Sequence, residues 1–205
     1  MMEHDDLNAA VRRVLLGENK VCGLTREQDA QAAYEAGAIY GGLIFVESSP
    51  RAVNEEQARK VMAAAPLNYV GVFRDADIND VAAKADALSL SAVQLHGDED
   101  QAYIDALRHA LAPQVQIWKA QSVGATLPAR NLKHVDKYVL DNGQGGTGQR
   151  FDWSLLRGEV LDNVLLAGGL SPDNCVEAAK TGCAGLDFNS GVESQPGIKD
   201  ASKLA

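Results

Sequence analysis

Short apolar runs alternate with longer amphipathic stretches along the whole chain. Because the runs contain no alternating polar positions, they are typical of strands buried on both faces, as in a parallel sheet. Their starts recur about every 24 residues, close to the combined length of one strand, one helix and two loops. The eight runs are Lys20–Cys22, Gly42–Phe45, Tyr69–Phe73, Ala92–Leu95, Val115–Lys119, Tyr138–Leu140, Val164–Ala167 and Gly185–Phe188.

The amphipathic stretches predict helices. Thr25 is a candidate N-cap for the first of them, while Gly37 and Pro66 end the first and the second. Acidic residues stand at the start of several, where they complement the positive end of the helix dipole. The predicted helices are Arg26–Ala36, Asn54–Ala65, Asp77–Leu88, Asp100–Leu111 and Asn174–Thr181, with short ones around 125–131 and 153–156.

Eight strands alternating with helices leave two parallel architectures, a closed (β/α)8 barrel and an open doubly wound sheet. The repeating units have similar lengths, and polar or glycine-rich clusters follow nearly every strand rather than only two. We therefore predict an α/β fold of the (β/α)8 TIM-barrel type, with these clusters on the rim where barrel active sites lie. The barrel is expected over 20–205, after a lead segment 1–19, with its last helix truncated or missing.

Composition narrows the class of protein. A net charge of −9 and a pI near 4.9 argue against a basic face for nucleic acid or anionic lipid. No apolar run approaches the ~20 residues of a membrane span, and the amino-terminal segment lacks the apolar region of a signal peptide. Three widely spaced cysteines indicate a reducing compartment and no disulfide framework. We expect a cytoplasmic protein.

Two residues at predicted strand ends suit acid–base chemistry. Cys22 ends the first strand; a lone cysteine is most often a small buried hydrophobe, but a thiol on the rim can act as a base or nucleophile. Asp141 directly follows the sixth strand, where it either caps the following loop or serves as a general acid. A structural role is expected for Cys175 and Cys183, which fall on the seventh helix and the turn after it.

Glycine-rich segments follow the last three strands. The segment 143–148 matches the G-x-G-x-x-G pattern, but it follows the sixth strand and opens no full helix, so we reject a dinucleotide site. Barrels commonly bind a phosphate between the loops after strands seven and eight, where glycine lets backbone N–H groups approach it. Ordinary turn glycines are the alternative, but glycine stands in both of the expected loops. We therefore predict a phosphate site formed by Gly168, Gly169, Ser190 and Gly191.

Two further residues bear on substrate binding. An arginine on a loop is usually solvated, but Arg51 follows the rigid segment Ser48–Pro50, which would aim its guanidinium at a carboxylate. His96 ends the fourth strand, where it contacts either the substrate or the rim backbone. No grouping of His, Asp, Glu and Cys has the spacing of metal ligands, so no metal site is predicted.

These residues belong to an ordered set of motifs that runs from about residue 19 to the end of the chain. The set closely resembles phosphoribosylanthranilate isomerase of tryptophan biosynthesis. It is most similar to the enterobacterial form, the C-terminal half of a fusion with indole-glycerol-phosphate synthase. The motifs are Lys20-Val-Cys-Gly-Leu-Thr25, Ser48-Ser-Pro-Arg51, Val93-Gln-Leu-His-Gly97, Leu140-Asp141 with Gly145-Gly-Thr-Gly148 and Phe151-Asp-Trp153, Leu166-Ala-Gly-Gly-Leu170, and Ser190-Gly-Val-Glu193 with Pro196-Gly-Ile-Lys-Asp200.

The resemblance implies an Amadori rearrangement without a cofactor, from N-(5'-phosphoribosyl)anthranilate to 1-(2-carboxyphenylamino)-1-deoxyribulose 5-phosphate. By position in the motifs, Asp141 would protonate the furanose ring oxygen and open the ring. Cys22, as thiolate, would then remove the proton from C2'. Arg51 would pair with the anthranilate carboxylate, and the two glycine loops would hold the phosphate.

Two features depart from the family pattern. Asn189 stands where many relatives have serine, which bears on its role as a phosphate contact. The segment 1–19 precedes the usual start of the domain, so Asp5–Leu16 is expected to be a helix from the end of the upstream partner.

Two alternative functions differ from this interpretation at specific residues. The related isomerase of histidine biosynthesis resembles a two-fold repeat with an aspartate on strands one and five, whereas Cys22 and Ala120-Gln-Ser122 stand there in this chain. A non-catalytic phosphate-binding barrel would not require the pair Cys22 and Asp141.

Overall fold

The computed structural model describes residues 17–143 and 150–205, and it contains a closed barrel of eight parallel strands. The strands follow one another around the barrel in chain order, and the first pairs with both the second and the eighth. The closed barrel was therefore the correct choice over the open sheet. The strands are β1 (Lys20–Val21), β2 (Tyr40–Ile44), β3 (Asn68–Phe73), β4 (Ala92–Leu95), β5 (Gln116–Ser122), β6 (Lys137–Asp141), β7 (Val164–Leu166) and β8 (Gly185–Phe188).

Helices lie between most of the strands. The side chains of Asn54, Asp77 and Asp100 each accept a backbone N–H from the first turn of the helix that follows, so three helices begin where the sequence predicts. The helices are α1 (Glu27–Glu35), α2 (Glu55–Ala64), α3 (Ile78–Ala87), α4 (Gln101–Ala110), α5 (Cys175–Ala179) and α6 (Ala201–Leu204), with 3₁₀ turns at Trp153–Leu156 and Ser190–Val192. After β8, an antiparallel hairpin forms from β9 (Glu193–Gln195) and β10 (Ile198–Lys199).

Two local predictions were wrong. Thr25 does not cap α1, because its hydroxyl donates instead to the Gly197 carbonyl in the β9–β10 hairpin. No helix forms over 125–131, and Pro128 disfavours the helical conformation of the residue before it. The short helix expected around 153–156 is present as a 3₁₀ turn.

The described residues begin at residue 17, just before the first strand, and continue to Ala205 apart from the gap 144–149. The predicted helix Asp5–Leu16 and most of the segment 143–148 lie outside the described residues. Asn19 connects the start of the barrel to its last strand, because its side-chain oxygen accepts the backbone N–H of Leu186 at 2.9 Å. At the other end, α6 forms the short start of an eighth helix, with Asp200 as its N-cap.

Apolar side chains form clusters both inside the barrel and in the space between strands and helices. Inside, Trp118 meets the ring of Tyr40 edge to face, with centroids 4.8 Å apart. The larger apolar clusters lie outside the strands, beneath the helices. Among the described residues, no helix has the length and hydrophobicity that a membrane span requires. Barrel active sites lie at the carboxyl ends of the strands, where the polar clusters that follow the strands meet.

Candidate active site

A cavity of about 110 Å³ opens among the carboxyl ends of the barrel strands. Seven of the eight predicted site residues line it, and Arg51 is the exception. A wider groove of about 750 Å³ between α3 and α4 contains none of the eight. The cavity is therefore the candidate site. The seven residues are Cys22, His96, Asp141, Gly168, Gly169, Ser190 and Gly191.

Cys22 directly follows β1 and is buried. Its backbone N–H donates to the Phe188 carbonyl at 2.8 Å, which extends the contact between β1 and β8 by one residue. Burial raises the pKa of the thiol above its ordinary value, and the ammonium of Lys20, two residues earlier, opposes that rise. The neutral thiol is therefore the resting form, beside a cation that favours the thiolate.

Asp141 ends β6 and is also buried. Its Oδ1 accepts the backbone N–H of Gly143 at 2.7 Å, so the carboxylate caps its own loop. Its Oδ2 lies 3.3 Å from His96 Nε2. The two interpretations of Asp141 are compatible, because one oxygen serves the loop and the other lies within the cavity wall beside His96.

The sequence analysis missed a buried polar cluster at the cavity, in which Gln94 and Asp187 line the cavity and Lys20 binds both of them. The Lys20 ammonium donates to Asp187 Oδ2 at 2.8 Å and to Gln94 Oε1 at 2.9 Å. Asp187 lines the cavity, and its Oδ1 is buried with no partner among the described residues. One signal was available: Lys20 and Asp187 are charged residues within otherwise apolar runs, and buried charges are rare unless they are paired.

The loops after β7 and β8 touch each other backbone to backbone. Gly168 and Gly169 have φ values of +84° and +69°, in the region that favours glycine. Asn174 holds this loop, since its amide donates to the Gly169 carbonyl at 2.8 Å. A Cβ on Gly191 would lie 1.8 Å from the Leu170 carbonyl oxygen, so only glycine fits there. Both loops therefore present backbone atoms to one end of the cavity.

Arg51 lies beside the cavity, behind the loop that follows Cys22. Its Cδ is 2.7 Å from the point that a Cβ on Gly23 would occupy. Arg51 Nε and Nη2 each donate to the Glu193 carboxylate at 2.8 Å, and Nη1 has no partner among the described residues. The guanidinium is therefore held in a two-point ion pair at the edge of the site.

Glu193 also binds the buried Lys199, whose Nζ donates to Glu193 Oε1 at 2.9 Å and to Asn189 Oδ1 at 3.0 Å. Burial acts to raise the pKa of Glu193, but Arg51 and Lys199 together outweigh it and lower that pKa. Burial lowers the pKa of Lys199, and Glu193 offsets only part of the effect. Asn189 lines the cavity while its side-chain oxygen is engaged by Lys199, which the sequence did not indicate.

The remaining candidate groups lie away from the cavity. Cys175 is in α5 and Cys183 is in the turn that follows it, as predicted, and both are partly buried. Within 17–143 and 150–205, no group of three or more His, Cys, Asp or Glu side chains could hold a metal ion.

The chain is similar along most of its length to one protein family. Residues 19–205 match the family model described as N-(5'phosphoribosyl)anthranilate (PRA) isomerase. Over 205 residues, the chain is 76% identical to the tryptophan biosynthesis protein TrpCF of Salmonella typhi and 68% identical to that of Yersinia pestis. Each alignment covers the whole of this chain but only 45% and 43% of the relative, so the chain spans less than half of their length.

Solved structures of the same family are similar over most of this chain at lower sequence identity. The phosphoribosylanthranilate isomerase from Thermus thermophilus has a TM-score of 0.79 and 32% identity, covering 91% of this chain and 94% of that one. A phosphoribosylanthranilate isomerase in complex with reduced 1-(o-carboxyphenylamino)-1-deoxyribulose 5-phosphate has a TM-score of 0.76 and 30% identity, covering 92% and 94%. The chain therefore belongs to the N-(5'-phosphoribosyl)anthranilate isomerase family, the isomerases of tryptophan biosynthesis.

Proposed function

We propose that this chain catalyses the Amadori rearrangement of N-(5'-phosphoribosyl)anthranilate to 1-(2-carboxyphenylamino)-1-deoxyribulose 5-phosphate by general acid–base catalysis, without a cofactor. The main support for the proposal is that Cys22, Asp141 and both glycine loops line one cavity. A related isomerase binds a reduced form of the rearranged product, which matches this substrate class.

Cys22 and Asp141 divide the proton transfers between them. Asp141 gives a proton to the furanose ring oxygen, the ring C–O bond breaks, and a Schiff base forms. Cys22 then takes the proton from C2' as the thiolate, the form that the neighbouring Lys20 ammonium favours over the neutral resting thiol, and the resulting enolamine tautomerises to the ketone. Because β1 and β6 are three strands apart around the barrel, the two groups reach the sugar from different sides. General acid and general base catalysis typically contribute ~10²–10⁴-fold each.

The phosphate of the substrate binds at Gly168, Gly169, Ser190 and Gly191. Support comes from the close approach of these two loops and from the positive φ values that keep the first loop in its conformation. Backbone N–H groups and the Ser190 hydroxyl are the donors that a phosphate accepts. The buried Oδ1 of Asp187 at the cavity wall is an acceptor for a sugar hydroxyl.

Arg51 and His96 complete the binding site. Arg51 pairs with the anthranilate carboxylate through Nη1, while Glu193 holds the other edge of the guanidinium. His96 contacts the substrate from the cavity wall next to Asp141. The bidentate ion pair supports this assignment, because it directs Arg51 without occupying every donor.

In the full-length protein, we propose that an indole-glycerol-phosphate synthase domain precedes this one, as in the enterobacterial fusion that the chain resembles; the TrpCF relatives are more than twice the length of this chain. The segment 1–19 would join the two domains, and the protein would work in the cytoplasm.

The proposal is tested by following the loss of phosphoribosylanthranilate fluorescence after the purified chain is added. We expect turnover by the wild type and a loss of ~10²–10⁴-fold in each of the variants Cys22→Ala and Asp141→Asn. An inactive, folded wild type would refute the proposed activity. Full turnover by Asp141→Asn would refute the assignment of the acid.

Two matched variants control for the substitutions themselves. Cys175→Ala removes a thiol that lies in α5, and Asp100→Asn changes a carboxylate that caps α4, where asparagine caps equally well. Both are expected to retain wild-type rates. A product analogue should still bind to the inactive variants, since neither substitution alters the phosphate loops.

A further inference from the structure

A series of polar side chains runs through the barrel interior from Lys20, two residues before Cys22, to Asp141. It begins at the Lys20 ammonium, which donates to Gln94 Oε1 at 2.9 Å and to Asp187 at 2.8 Å. Gln94 Nε2 lies 3.3 Å from His96 Nδ1, within hydrogen-bond distance, and His96 Nε2 lies 3.3 Å from Asp141 Oδ2. Lys20 and Gln94 are 0% and 1% exposed, so water does not compete for their hydrogen bonds.

The Lys20 ammonium determines which way the Gln94 amide faces. An ammonium carries donors only, so the glutamine atom that meets it must be the carbonyl oxygen. The amide N–H then points to His96 Nδ1, which must accept the hydrogen bond. A neutral imidazole with a lone pair on Nδ1 carries its proton on Nε2, the atom that faces Asp141.

This tautomer affects what Asp141 can do with its proton. If Nε2 had a lone pair, the O–H bond of Asp141 could break in favour of an Nε2–H bond. The carboxylate and imidazolium so formed would leave no proton for the ring oxygen of the substrate. With the proton already on Nε2, the imidazole presents a donor to Asp141 and cannot accept from it.

We propose that Gln94, anchored by Lys20, is a positioning residue that holds His96 in the Nε2–H tautomer, so that Asp141 delivers its proton to the substrate and not to His96. The inference rests on the acid role proposed for Asp141, and it adds a residue that prevents proton transfer from Asp141 to His96. Gln94 acts through His96.

The variant Gln94→Glu tests the proposal with almost no change of shape. A carboxylate keeps the contact with Lys20 but presents an acceptor to His96 Nδ1, which reverses the preferred tautomer. Proton–nitrogen correlation NMR on the neutral ring should show Nε2 protonated in the wild type and Nδ1 protonated in the variant. We expect kcat to fall at least about 10-fold with KM within about 2-fold.

Two further variants separate this role from a structural one. Gln116→Glu makes the same change on β5, where Gln116 Oε1 accepts the indole N–H of Trp118 at 2.9 Å, and it should leave kcat and the His96 signals unchanged. His96→Gln supplies an amide N–H towards Asp141 and has no tautomers. In that background, adding Gln94→Glu should change kcat by less than about 2-fold.

The experiments distinguish a wrong tautomer assignment from a wrong proposed function. A wild-type His96 with its proton on Nδ1, or a 10-fold loss from Gln94→Glu that persists in the His96→Gln background, would overturn the inference. The NMR measurement needs no substrate. If the wild type is inactive but His96 carries its proton on Nε2, the proposed function and the catalytic role of the tautomer are refuted. The assignment of the tautomer itself is then confirmed.

Discussion

Gly191→Ala would force apart the two loops to which we assign the phosphate. A Cβ at this position would lie 1.8 Å from the Leu170 carbonyl oxygen and 2.8 Å from its carbonyl carbon. Because a Cβ does not approach a backbone atom more closely than 3.0 Å, the loops must separate by about 1.2 Å. Gly191 has no positive φ, so the effect comes from lack of space alone.

The size of the effect follows from this displacement. A misplacement of about 1 Å in a binding or catalytic group can lower the rate about 100-fold, and we expect that loss in kcat/KM. Overpacking costs about 1–3 kcal/mol of folding free energy. At roughly 2–4 °C per kcal/mol for a domain of this size, Tm should fall by several degrees while the protein remains folded.

The assay combines initial rates from the fluorescence decay with competitive inhibition by inorganic phosphate and a thermal melt. Gly124→Ala is the matched control, because a Cβ there would have no atom within 4 Å. The control should keep the wild-type kcat/KM and inhibition constant. A folded Gly191→Ala protein with both values unchanged would refute the assignment of the phosphate to these loops.

Two further predictions concern the thiol and the ion pairs at the edge of the site. Gly42→Ala places a Cβ 2.7 Å from Cys22 Sγ and should lower isomerase activity more than about 10-fold. In the control Gly41→Ala, the outward-facing Cβ meets only the ends of side chains, so activity should be retained. Equal rates in the two variants would contradict this prediction. Burial acts to raise the pKa of Glu193, but Arg51 and Lys199 outweigh it and lower that pKa. The ionised carboxylate therefore stabilises the folded protein fully above its ordinary pKa of 4.5, and this contribution is lost as the pH falls through the lower folded-state pKa. Urea unfolding should therefore show a smaller loss of stability in Glu193→Gln than in the wild type between about pH 5 and about pH 3, and identical losses would show that Glu193 is not the group that titrates.

Much of the fold could be predicted from interactions between residues that are close in sequence. Strand positions followed from continuous apolar runs, and three helix starts followed from cap residues that bond within their own first turn. Thr25 is an exception, because its partner is distant in sequence. Its local context suits an N-cap, but its hydroxyl instead binds the Gly197 carbonyl, 172 residues away, which no local pattern contains.

The sequence by itself determined the barrel and the rim positions of its reactive groups, because the carboxyl ends of parallel strands must meet at one face. Only the tertiary structure decided the partners of those groups. Lys20 and Asp187 are 167 residues apart, and Arg51 and Glu193 are 142 apart. Both pairs meet because β1 closes against β8 and the hairpin after β8 lies beside the site. Which charges are neutralised, and which side chains are left to face a substrate, therefore depends on barrel closure and cannot be deduced from spacing along the chain.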